Sequence, residues 1–201
     1  VAIYLHSNLP FQGLRTQSDR DGHFLIVVGR LENTVVTVAS IYTPNTAQDL
    51  YLRHFLSVLG GVAQEEILLA GDFNTVNEPS LDRETSTSSS SPTFSRGLKA
   101  DLTSLGLTDV WRAFHPTSLG YTFYSHAHQK HSRIDYLFAS NRVLPRDHSA
   151  LTGPISISDH GPLTVQFTWC RLPCGCSSWR LHPSLLWDPV ICDLISAQIY
   201  E

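Results

Sequence analysis

Polar and apolar positions along the chain follow two periods, one near two residues and one near three and a half. A continuous apolar run, Ile67-Leu68-Leu69-Ala70, stops at Gly71 and is followed by Asp72, Phe73 and Asn74. Such a run predicts a strand buried on both faces, because neither face can be left to water. His23 to Leu31, with Phe24, Leu25, Ile26, Val27 and Val28, predicts a second strand, and the β-branched stretch Thr34 to Tyr42 a third. Val1 to Leu5 is apolar and reads as a strand too, with Asn8-Leu9-Pro10 turning the chain. Short connections make the strands at 1–5, 23–31 and 34–42 antiparallel neighbours. Pro44 stops the third of them, since proline cannot donate to a ladder.

Helical spacing appears between the strands. Gln48 to Val62 carries Leu50, Phe55, Leu56 and Leu59, with Gly60-Gly61 as a stop. Phe94 to Leu105 places Leu98, Leu102 and Leu105 on one face and ends at Gly106. Thr108-Asp109 can cap a short third helix holding Val110, Trp111 and Phe114. Gly120 to Ser125 and Arg133 to Ser140 are strands joined by the segment His126 to Ser132, and Leu163 to Trp169 alternates as a last half-buried strand. Strand, helix, strand predicts a layered fold with helices covering sheets.

Composition narrows the class. The chain has 201 residues, 42% hydrophobic and 16% charged, which suits one sizeable core. A net charge of -4 gives no support for a nucleic-acid partner, although a bound divalent cation would supply positive charge locally. No apolar run approaches the roughly 18 residues that cross a bilayer, so no membrane partner is expected. There is no secretory signal and the chain starts at Val1 rather than Met, so it reads as intracellular and as cut from something longer. Ser86 to Ser91 lies in a low-complexity loop. The cysteines, 170, 174, 176 and 192, cluster at the end in a spacing that matches neither a zinc ribbon nor a redox pair. Beyond them, Pro183 to Tyr200 reads as an amphipathic helix. The expected organisation is a domain over 1–169 and a linker with a helix over 170–201.

Candidate chemistry lies at strand ends. On a strand, Asp72 and Asn74 point the same way while Phe73 turns into the core, and two oxygen ligands at a rigid strand end suit a hard cation. The plainer reading is a strand ending in turn formers. Asp135 sits among Ile134, Leu137 and Phe138, so its charge needs a partner; Arg133 is the local one, and a histidine would also serve. Asp82-Arg83 reads as an internal ion pair. His126, His128 and His131 are too tightly spaced for zinc and read as exposed loop histidines, or as a polar finger toward a groove. Asp159-His160 at a strand edge is, alone, a surface turn, and Tyr42 alone is a rim tyrosine.

Taken in order, Tyr42-x-Pro44-Asn45, Gly71-Asp72-Phe73-Asn74, Arg133-Ile134-Asp135-Tyr136 and Ser158-Asp159-His160 form a specific set. With it the chain resembles the endonuclease/exonuclease/phosphatase superfamily. The resemblance is closer to the apurinic-type endonuclease domain of non-LTR (long interspersed) retrotransposons, through Thr108-Asp109-Val110-Trp111-Arg112, His115-Pro116, Tyr121 to Ser125 and Trp179-Arg180-Leu181. It implies an α+β fold, the four-layer α/β/β/α sandwich of DNase-I-like type, here lacking its first strands. The family's opening Asn strand and Gln-Glu-Thr metal ligand have no counterpart, so N-terminal truncation is expected.

The resemblance also implies roles. Asp72 orients or deprotonates the attacking water, Asn74 holds that water or a phosphate oxygen, and Tyr42 lies at the phosphate. His160 donates to phosphoryl oxygens, with Asp135 as its partner. Asp72, Asn74, Asp159 and His160 are the expected metal-site residues for Mg²⁺, with Mn²⁺ as substitute. Thr122 and Ser158 contact substrate. The implied partners are double-stranded DNA and a reverse transcriptase domain in cis, and the implied location is the nucleus. The expected function is a DNA-nicking phosphodiester hydrolase impaired by the missing Glu. The alternatives are an inactive remnant or another phosphoesterase on the same fold.

Overall fold

The computed structural model describes residues 1–64, 66–84, 92–140, 143 and 149–167. The expectations for the serine-rich loop at 85–91, for the cysteines and for the linker and helix over 170–201 lie outside these residues.

In chain order the elements are β1 (Phe11–Ser18), β2 (Phe24–Leu31), β3 (Thr34–Tyr42), α1 (Gln48–Val62), β4 (Glu66–Asp72), α2 (Arg96–Ser104), β5 (Leu107–Asp109), α3 (Val110–Phe114), β6 (Phe123–Ser125), β7 (Lys130–Ser132), β8 (Asp135–Ser140), β9 (Ala150–Thr152) and β10 (Leu163–Val165). Six strands form one sheet in the order β1-β2-β3-β4-β8-β5, and β6–β7 and β9–β10 are two-stranded ladders. The expected α+β class holds.

The first expected strand is misplaced. Residues 1–5 are in no strand, and Tyr4 is 93% exposed. The position beside β2 is taken instead by β1, which closes a hairpin onto it. Two local features favour that hairpin. Asp19 accepts from the Phe24 amide at 3.1 Å in the turn, and the Phe11 ring fills the space over Gly29. The strand expected over 120–125 pairs only at Phe123–Ser125, the one expected over 133–140 starts at Asp135 as β8, and the joining segment expected over 126–132 itself holds β7.

β3 and β4 run parallel, joined through α1, and β8 pairs antiparallel on the other side of β4. Leu52, Phe55, Leu56 and Leu59 of α1 bury against Phe24, Ile26, Ala39, Ile41, Ile67 and Leu69 of the sheet. Leu52 rather than Leu50 completes that stripe, because 52, 55, 56 and 59 lie on one side of a helix, and Leu50 is left exposed. α2 adds Leu98 and Leu102, with Ser95 capping it by accepting from the Leu98 amide at 2.9 Å. Asp109 caps α3 as expected, accepting from the Arg112 amide at 3.1 Å.

Gly71 is what lets β4 finish beside β3. Its φ is 149°, and a Cβ there would overlap the Ile41 carbonyl oxygen. Gly71→Ala is therefore expected to destabilise the protein by about 3 kcal/mol or more, measured by denaturant unfolding, through strain and a backbone clash.

Candidate active site

The end of the sheet beyond Gly71 gathers the chemistry. Tyr42 of β3, Asp72 of β4 and Asp135 of β8 are register partners across adjacent strands. Partners in register project from the same face of a sheet. The three therefore form one row at one end of the central strands. The row continues to His23 before β2, whose carbonyl accepts from the Tyr42 amide at 2.7 Å and whose ring stacks on that of Tyr42.

Asp72 ends β4 in a turn. Its Oδ1 accepts from the Asn74 amide at 2.8 Å, and Asn74 has φ 47°. This is the side-chain turn that Asp favours, and Asn tolerates the left-handed region. The expectation that strand alternation aligns Asp72 with Asn74 is corrected, because Asn74 has already left the strand. Its carboxamide is placed by another contact: Nδ2 donates to the Thr43 carbonyl at 2.6 Å, which leaves Oδ1 without that duty. Phe73 does turn inward, fully buried among Phe94, Tyr136 and Phe138.

Asp135 pairs with a histidine. His160 Nδ1 and Asp135 Oδ2 lie 2.9 Å apart, and the His160 ring packs on Phe123. Asp72, Asp135 and His160 each bring a ligand atom within 4.8 Å of the others. Because its Nδ1 faces Asp135, His160 enters this cluster as that carboxylate's partner rather than as a ligand through Nδ1. Asp159 is not one of the three. Its Oδ1 accepts from the Ser158 hydroxyl at 3.1 Å, while its charge is felt at both Asp72 and His160. Ser158 also accepts from the His160 amide at 3.1 Å, so it orders the turn that carries both residues.

Thr122 is fully buried. Its hydroxyl accepts from the Ile134 and Asp135 amides at 3.2 and 3.1 Å. The structure thus gives it a different job from the expected contact with substrate.

Charge crowding shows in the proton affinities. Burial pushes the Asp72 carboxyl up to about 6, opposed by the Asn74 amide and helped by the neighbouring Asp135 charge. The hydrogen bond from Asp135 raises His160, with burial opposing it. A hard cation fits this donor set. Asp72, the second oxygen of Asp135 and the Asn74 Oδ1 are all oxygens, and a dication would relieve the like-charge crowding.

A second cluster lies behind the row. Arg133 and Asp82 are fully buried and pair through Nε–Oδ1 at 2.9 Å and Nη2–Oδ2 at 3.1 Å. Arg133 Nη2 also reaches Asp109 Oδ2 at 2.7 Å, and Arg112 Nη2 reaches Asp82 Oδ1 at 2.6 Å. Two carboxylates thus balance two guanidiniums. The Arg133 Nη1 and Arg112 Nε have no hydrogen-bond partner, and both guanidiniums lie over the Trp111 ring. The sequence reading Asp82–Arg83 is replaced here, and of the two kinds of partner left open for Asp135 the structure takes the histidine, not Arg133. Local spacing finds the nearest opposite charge, whereas burial selects partners from 24 and 51 residues away.

The sequence reading also missed Asp19, Asp21 and His23, which lie within 4.8 Å of one another in the β1–β2 turn; the alternating Asp-x-Asp-x-His spacing was the available signal. At the β6–β7 hairpin, His131 packs on Tyr124 and Tyr121, and Tyr124 on His126. Glu84 holds this hairpin, accepting from the His131 amide at 3.0 Å.

Comparisons with known proteins give the family and the fold. A family model described as the Endonuclease/Exonuclease/phosphatase family matches residues 1–160. The chain is similar to the transposon TX1 uncharacterized 149 kDa protein of Xenopus laevis, 24% identical over 173 residues, which are 83% of this chain and 13% of that protein. Its backbone is similar to an AP endonuclease from Archaeoglobus fulgidus, with TM-score 0.55, 22% identity, and coverage of 71% of this chain and 64% of that one. It is also similar to the endonuclease domain of TRAS1, a telomere-specific non-LTR retrotransposon, with TM-score 0.54, 17% identity, and coverage of 78% and 80%. The fold is DNase-I-like.

Two outcomes follow from the electrostatics. Because Asp72 binds its proton more tightly folded than unfolded, stability falls as pH rises from about 4 to about 6. Asp72→Asn removes that loss. In chelator-containing buffer the variant should be more stable than the parent above pH 6, by on the order of 1 kcal/mol after allowing for partial exposure, and equal to it near pH 4. Arg133→Met leaves two buried carboxylates short of a partner and should cost about 3–5 kcal/mol, read from chemical denaturation.

Proposed function

The chain belongs to the endonuclease/exonuclease/phosphatase family, and from that premise we propose a metal-dependent phosphodiester hydrolase descended from the DNA-nicking endonuclease of a retrotransposon. The observation that carries this reading is the His160–Asp135 pair at 2.9 Å with Asp72 in the same cluster. Mg²⁺, or Mn²⁺ in its place, suits the oxygens of Asp72, Asn74, Asp135 and Asp159. When bound, the cation supplies positive charge against the phosphodiester and its leaving oxygen.

The chain's own residues supply the proton chemistry. Asp72, in the same cluster, orients or deprotonates the attacking water in this reading. His160 keeps Nδ1 on Asp135, which leaves Nε2 for substrate. Its raised proton affinity keeps it a donor toward phosphoryl oxygens as charge grows on them. Tyr42, 41% exposed in the same row, is the phosphate contact in this reading. The rings of Tyr121, Tyr124 and His131 on the hairpin offer faces against which bases stack, which favours DNA over a small phosphate ester. A reverse transcriptase in cis and action in the nucleus complete the reading. No described helix is long and apolar enough to cross a membrane.

In this reading the cation is held weakly. Mg²⁺ asks for near-ideal octahedral oxygen coordination, and among the described residues one oxygen of Asp135 is already bonded to His160. The test is Mg²⁺-dependent nicking of supercoiled plasmid. Slow nicking that His160→Ala abolishes is the expected result. Robust nicking abolished by Asp159→Ala would refute the impairment, and turnover of a soluble phosphate ester without nicking would refute the DNA substrate.

A further inference from the structure

Thr122 touches both halves of the Asp135–His160 pair without being part of it. Its hydroxyl accepts from the Ile134 and Asp135 amides at 3.2 and 3.1 Å, which places the start of β8. Its carbonyl accepts from the Gly161 amide at 2.7 Å, which places the residue after His160. Its own amide donates to the Ser132 carbonyl at 3.0 Å. One residue on, Phe123 forms a bridge with His160 and packs its ring on the imidazole. The Tyr124 amide then donates to the Asp159 carbonyl at 2.8 Å.

Asp135 and His160 are 25 residues apart in sequence, and their side chains meet at 2.9 Å. A hydrogen bond of that length tolerates little drift between the two backbones. Residues 122 to 124 run along the 159–161 backbone, and among them Thr122 also takes, through its hydroxyl, the amides of 134 and 135. Its full burial excludes water as a replacement acceptor for the two amides.

We propose that Thr122 is a positioning residue that sets the distance between Asp135 and His160, acting through the 134–135 amides on one side and the Gly161 amide on the other. The proposal rests on reading Asp135 and His160 as working residues, and it deepens that reading by naming what holds them in register. A hydroxyl is required because one atom must accept from two successive amides. Valine has the same shape and no acceptor, and serine keeps the acceptor and drops the methyl.

The test uses the full chain and NMR, with no DNA and no metal present, so its failure is separable from failure of the nuclease reading. In the parent, the imidazole N–H of His160 on the carboxylate should give a downfield proton signal, and the amides of Ile134, Asp135 and Gly161 should exchange with solvent at similar rates. Thr122→Val should lose the downfield signal and speed exchange of the 134 and 135 amides by about tenfold or more relative to Phe138 in the same strand, the effect of about 1.4 kcal/mol. Thr122→Ser should keep both signatures. A Thr122→Val protein that folds and retains the signal, or a Thr122→Ser protein that loses it, overturns the proposal. Should Thr122→Val fail to fold, the parent's exchange rates and the serine variant still decide: a Gly161 amide exchanging far faster than Asp135 in the parent overturns it as well.

Discussion

A guanidinium without water organises this protein. Arg133 is wholly buried, and it keeps its charge because Asp82 and Asp109 surround it. Removing a charge from water is expensive unless its partners are themselves fixed, so the three segments that supply them must meet in one arrangement. The loop after β4 brings Asp82, the turn between β5 and α3 brings Asp109, and β7 leads into Arg133. Tyr136 extends the same constraint: its hydroxyl donates to the Arg133 carbonyl and accepts from the Asn77 amide. The strand that carries Asp135 therefore starts from a point held by ions and rings, two residues before the carboxylate is needed.

In front of that neutral cluster lies one with the opposite character. Asp72 and Asp135 bring two carboxylates to a single imidazole, and the charge of Asp159 is felt there as well. The rear cluster is balanced and closed; the front one is unbalanced and open toward solvent. That contrast distinguishes a network built to hold a chain in place from one built to receive a charged visitor. Arg133 of the one and Asp135 of the other stand two residues apart at the start of β8.

Which features could be read from the sequence follows from the range of the forces. Periodicity located β2, β3 and α1 with their bounds, since each depends on its own residues meeting one core. The short signatures around Asp72, Asp135 and His160 lie at strand ends and turns, locally coded by Gly, Asp and Pro, and the fold brings their side chains together. Two kinds of information were not local. Charge partners were misassigned at Asp82 and Arg133, where tertiary burial rather than spacing chooses. Val1 to Leu5 was taken for a strand on its apolar character, although pairing depends on whether a neighbour is vacant, and β1 with its weaker pattern holds that place through the Asp19 turn. Thr122 shows a third kind, in which the residue type was noticed and its duty changed once its surroundings were known.

The order of the sheet has a consequence for how the molecule opens. β1 is an edge strand with a bulge between Gly13 and Arg15, and it contributes almost nothing to the core. The strands bearing Tyr42, Asp72 and Asp135 all lie inside the sheet, each flanked on both sides. Fraying that begins at the β1 margin has to pass β2 before it reaches the first of them. A fluctuation that detaches β1 leaves β3, β4 and β8 paired, and a protease that nicks the loosened edge would meet an intact central sheet behind it.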